Sequence, residues 1–318
     1  MNKKFVLTDE FKIVRGIKVF RIKAMKSFGG VAMGTLGGFV EREDNLSQEG
    51  NCWVGGDAVV IGNAKVFENA KVFERAEIYE NAKIYGNAKV FERAEVYENA
   101  KIYGWAKVYG SADVSGNTQI FGYAQVYGRS RIYGNTEIFE NAEIFDEAMI
   151  CGTVKVYGYA KVSTRTRIFD NAKIYDYANI IEDSIIFGNA EIFGHAEISG
   201  QTQIFGNAKV YDRAEVYEWA MIFDDAEISG EAKVYGRAKV YENAKIFKKA
   251  EVHHSAIVRG TSRIHGSVKV EEHSQVYGSA EIFGRVCITA FKEICGNVKI
   301  TKKADLVNGR IISEINKV

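Results

Sequence analysis

A chain of 318 residues with 42 Lys and Arg against 41 Asp and Glu carries a formal charge of +1, which gives no bulk attraction to nucleic acid or to an anionic membrane. Proline is absent, and Cys52, Cys151, Cys287 and Cys295 have no paired spacing, so neither a disulfide framework nor a structural zinc site is expected. No apolar run follows the basic start, and no stretch approaches a membrane span, so the expectation is a cytoplasmic protein with neither a membrane nor a nucleic-acid partner.

In chain order, residues 1–50 read as an N-terminal capping segment, in which VFRIKAMKSF alternates as a small strand pair would. Residues 51–306 are a repeat. At Val54 and every sixth residue after it to Leu306 stands an aliphatic, 43 positions in all, and no insertion breaks the register. Four residues after each aliphatic the chain is small (Ala, Ser, Thr or Val) from Ala58 to Ala304, with the single exception of Lys292. The small residue lies two before the next aliphatic, and residues two apart on a strand face the same side. Each hexad therefore reads as small-in, charged-out, aliphatic-in, aromatic-out and two turn residues. The Asn frequent at the second turn position is assigned here to the left-handed conformation that a sharp corner needs. Sorted by position modulo 18, ten of thirteen such Asn fall in one class, among them Asn63, Asn81, Asn99, Asn117 and Asn135. A coil of three hexads stacks these at one corner and gives about 14 triangular coils, with 307–318 as a short C-terminal cap or tail. An ammonium in the inward column would be costly, so the coil at 289–293 is expected to distort until Lys292 reaches solvent, with Phe291 turning inward.

The order aliphatic, two variable residues, Asn or Asp, small, variable resembles the hexapeptide repeat of left-handed β-helix proteins. The segment 34–54, GTLGGFVEREDNLSQEGNCWV, looks like the entry motif of the YdcK-like group, bacterial hexapeptide-repeat proteins described as acetyltransferases. The resemblance implies an all-β fold, a single-stranded left-handed parallel β-helix. It also implies an acyl transfer from acetyl-CoA, with a catalytic histidine at a subunit groove. The hand comes from the resemblance and not from the spacing.

Three constellations carry chemistry. The outward row Phe67, Tyr85, Tyr103, Phe121, Phe139 and Tyr157 either shields the ladder by mutual stacking or offers a glycan platform. The second is one outer face that differs from the other two. It carries Met149, Ile185, Met221 and Ile257 where the others carry mostly Lys, Glu or Gln, and beside them run Phe169, Phe187, Phe205, Phe223 and Tyr241. Two adjacent apolar columns read as an interface for a second copy, in a dimer or trimer, or for a protein partner. The third is the only acid–base grouping: His253 and His254 lie one coil from Glu271, Glu272 and His273, at what reads as an exposed corner. No metal and no cofactor is expected there, acetyl-CoA excepted if the chain is an acetyltransferase. The unbroken hexads leave no room for an extruded loop, so the leading expectation is a non-catalytic structural and interaction solenoid. An acetyl-CoA-dependent acetyltransferase is the alternative, and a glycan-binding solenoid the third.

Overall fold

The computed structural model describes residues 3–289, 292–302 and 310–312. The chain divides into two units, Met1–Tyr159 and Ala160–Val318. Both are stacks of parallel coils, and the units together hold about 14 turns of an almost all-β solenoid.

The first unit opens with a hairpin, β1 (Phe5–Val14) and β2 (Ile17–Ala24), whose turn uses Arg15 and Gly16 at positive φ. β2 runs antiparallel to β3 (Leu36–Val40), and β3 pairs in parallel with the coil strand Val59–Val60. The hairpin and β3 thus cover an edge of the stack that would otherwise present unpaired backbone groups. Lys4 fastens the entry: it is 1% exposed, and its ammonium donates to the carbonyls of Glu49 and Cys52, both at 3.1 Å. These bonds let a cation be buried without a carboxylate partner, and they pin the loop from which the first coil leaves.

The coils follow the hexad reading. Ala64 and Val66 are buried, Lys65 and Phe67 lie half-buried outside, and the turn residues Glu68 and Asn69 are exposed. Most coil strands are two residues long and pair in register with the strand 18 residues on, as Lys65↔Lys83 and Val66↔Ile84 do. In the second unit the same rule gives Lys173↔Glu191 and Ile174↔Ile192. Opposite charges fall together where the columns alternate, as in Lys173–Glu191 at 2.9 Å and Lys233–Glu215 at 2.7 Å. Several inward hydroxyls are satisfied by the carbonyl three residues back, as Thr136 Oγ1 to Tyr133 at 2.9 Å and Thr202 Oγ1 to Ser199 at 2.7 Å, whereas Thr118 Oγ1 is buried without a partner among the described residues.

The corners correct one reading. The left-handed residue is the first turn position, Glu80 at φ 57° and Glu98 at φ 54°, and not the Asn that follows it. The Asn side chains instead form amide ladders. In the first unit Asn63 Nδ2 donates to Asn81 Oδ1 at 3.1 Å, and the chain continues through Asn99 and Asn117 to Asn135. In the second, Asn171, Asn189 and Asn207 do the same and end on Asp225. An amide that both donates and accepts along a 4.8 Å stack is the reason for Asn at this place. The acids at the left-handed position have their own role: Glu98 Oε2 accepts the backbone N–H of Gly116, 18 residues on, at 2.6 Å, and Glu182 does so for Gly200 at 2.6 Å.

Lys292 is half-buried rather than sealed in the core, while its carbonyl still accepts from Gln275 N at 2.8 Å. Phe291 and most of the 307–318 tail lie outside the described residues. Among the described residues no helix is long and apolar enough to cross a membrane.

Candidate functional site

Two places concentrate the residues singled out by sequence, and apart from Met149 both lie in the second unit. The first is the apolar face. Met149 belongs to the first unit, where it pairs in register with Arg131. In the second unit one sheet carries, strand after strand, Arg167, Ile185, Gln203, Met221, Lys239 and Ile257. Beside this column Phe187, Phe205, Phe223 and Tyr241 stack at centroid distances of 4.6–4.9 Å with planes within 5° of parallel. Stacking covers the ring faces, so these residues are half-buried and present edges to solvent.

Ile185 and Met221 line a groove of about 710 Å³ together with Arg165, Arg167, Asp183, Gln201, Gln203, Trp219, Arg237 and Lys239. Trp219 stands on the corner next to Met221, 53% exposed, with its Nε1 donating to Gln201 Oε1 at 3.2 Å. Arg165 grips Asp183 through two hydrogen bonds at 2.7 and 3.0 Å, which hold the Asp183 carboxyl below the usual range. Arg167, Arg237 and Lys239 have no ion-pair partner among the described residues. The groove therefore combines an exposed indole, two aliphatic side chains and three unneutralised cations. Trp219 stands 54 residues after Arg165 and 18 before Arg237, so the period of 18 would have placed it in their column, a signal that the sequence reading did not use. Only the folded corner shows that this column and the apolar one share a groove.

The second place is the histidine cluster. Parallel pairing of Glu251–Val252 with Lys269–Val270 puts His253 over Glu271 and His254 over Glu272. The exposed corner expected for His253 is corrected. The residue occupies the aromatic-out position of its hexad and continues a ring column, stacked on Tyr235 at 4.6 Å, which leaves it 5% exposed. Its Nε2 lies 3.3 Å from Glu271 Oε2 without a well-directed hydrogen bond, and its Nδ1 faces His254 Nδ1 at 2.7 Å. Burial, and then the neighbouring His254, push the His253 pKa below the ordinary imidazole value and favour the neutral ring. His253, His254 and Glu271 each offer a donor atom within 4.8 Å of the others. Glu272 and His273 are exposed and stand outside that group. Cys287, which the sequence left without a role, places its Sγ 3.1 Å from Glu271 Oε1.

The long aromatic rows resolve as stacks. Phe67, Tyr85, Tyr103, Phe121, Phe139 and Tyr157 are spaced 4.8–5.0 Å apart in the first unit. Rings that cover one another leave few open faces for a sugar.

No protein-family model and no curated protein sequence matches the chain. The solenoid therefore stands on its own geometry, and the YdcK-like likeness rests on segment 34–54 alone.

Proposed function

We propose that the chain is a non-catalytic structural and interaction solenoid that takes its partner on the groove around Met221. The observation that supports this reading is the composition of the groove: Ile185, Met221 and the exposed Trp219 beside Arg167, Arg237 and Lys239. Aromatic, Met and Arg side chains are the usual anchors of a protein interface. Folding does not require them outside, since the equivalent columns are filled by Lys and Glu, as at Lys209 and Glu215. The three unneutralised cations favour an acidic protein over a twofold pairing of the groove with its own copy, in which like charges would meet. A second copy in another arrangement, dimer or trimer, is the other occupant.

Light scattering of the purified chain, and binding of an acidic peptide containing an aromatic residue read by Trp fluorescence, test the reading. The expected result is assembly or salt-sensitive peptide binding in the wild type, abolished by Met221→Glu with Phe223→Glu. A wild type that does neither, or a double variant that behaves unchanged, overturns it.

A second reading, an acetyl-CoA-dependent acetyltransferase, is favoured by one observation: a buried neutral imidazole held against Glu271, the arrangement of a general base. On this reading acetyl-CoA binds at micromolar concentration, and His253→Phe, which keeps the stack on Tyr235, removes turnover. On the leading reading the wild type shows no turnover.

A further inference from the structure

We propose that His253, His254 and Glu271 form a binding site for one zinc-class divalent metal ion. The three donors converge although the sequence reading expected no metal. Two observations carry the proposal. The first is the convergence itself, with all three donor atoms within 4.8 Å of one another. The second is independent of it: His253 is 5% exposed, and its Nε2 is buried without a hydrogen-bond partner, aimed at Glu271. An orphaned ring nitrogen inside a fold calls for an explanation, and a metal ion supplies one.

The spacing fits. Zinc binds imidazole nitrogen at about 2.0–2.1 Å and carboxylate oxygen at about 2.0–2.2 Å, so neighbouring donors of a tetrahedron lie roughly 3.3–3.5 Å apart. His253 Nε2 and Glu271 Oε2 are separated by 3.3 Å. A single imidazole gives one ion only one nitrogen, so Nε2 of His253 is the ligand and its Nδ1 stays on the side of His254. His254 is exposed and turns about its side-chain bonds to bring a nitrogen in, and water takes the fourth position. Glu271 keeps its second oxygen on Cys287 Sγ at 3.1 Å, the kind of outer contact that holds a ligating carboxylate in place. The rigid column also matters: the ring plane of His253 is set within 3° of Tyr235, so the donor direction is fixed before the ion arrives. Two imidazoles with one carboxylate suit zinc, cobalt and nickel better than magnesium or calcium, which prefer oxygen donors.

The test uses the whole chain and the metal alone. Isothermal titration of the metal-stripped protein with Zn²⁺ should show one ion per chain at micromolar or tighter affinity. Co²⁺ in its place should give the visible absorption of a four-coordinate site. His253→Phe preserves the stack and should weaken Zn²⁺ binding by at least about 100-fold, and Glu271→Gln by roughly 10-fold or more. His254→Asn, at an exposed position with φ 58°, keeps the backbone preference and should weaken binding comparably to Glu271→Gln. Circular dichroism shows that each variant is folded. No binding in the wild type, or undiminished binding in folded His253→Phe, overturns the proposal.

Discussion

Ile138→Asp should unfold the first unit. Ile138 has no exposed surface, lies between Ile120 and Val156 in its ladder, and points into a column filled by one aliphatic and one small residue per hexad, here Thr118, Thr136 and Val154. Removing a buried Ile side chain costs about 2–5 kcal/mol. An unpaired carboxylate in the same place adds several more, because the surroundings are mostly aliphatic carbon and the two nearby inward hydroxyls, Thr118 and Thr136, cannot replace its hydration. The sum approaches or exceeds the roughly 5–15 kcal/mol by which domains are stable. The expected outcome is loss of the β signal in circular dichroism at 25 °C. The adjacent residue gives the contrast: Glu137 points outward to Lys155 at 2.9 Å, and Glu137→Ala should shift stability by about 1 kcal/mol or less. Equal behaviour of the two variants would contradict the inward–outward alternation.

Gly116→Val should cost more than Gly16→Ala, although both glycines sit at positive φ. Gly116 has φ 71°, and a side chain added there meets the backbone N and O of Gly134 at 2.6 Å. Its N–H is also the donor to Glu98. Gly16 has φ 78°, with nothing within 4 Å of an added carbon. The hairpin variant therefore loses only the left-handed conformational term, about 1–2 kcal/mol. The corner variant loses that term, which is larger for a β-branched residue, and must also push two coils apart. The urea midpoint should fall clearly further for Gly116→Val. Equal midpoints would show that the stacked backbones yield freely.

The sequence by itself determined the coil. A period of six with alternating inward positions leaves the chain no other way to bury Val66, Ile84 and Ile102, and the period of 18 in Asn63, Asn81 and Asn99 sets which corners stack. Both follow from translation along one axis, so a linear pattern suffices to read them. The tertiary structure alone decided how deep each outward side chain lies and what it meets one coil away. Asn63 serves an amide ladder rather than a left-handed turn, because the turn strain falls one residue earlier and the amides reach each other across the stack. His253 is buried because it completes a ring column under Tyr235, and only then does Nε2 face Glu271. Trp219 joins Met221 in one groove because a corner residue and a face residue two positions apart both point outward from the same coil. Burial and contact of an outward residue depend on the residues 18 positions before and after it and on the rotamers that stacking permits, and neither is written in the residue's own hexad.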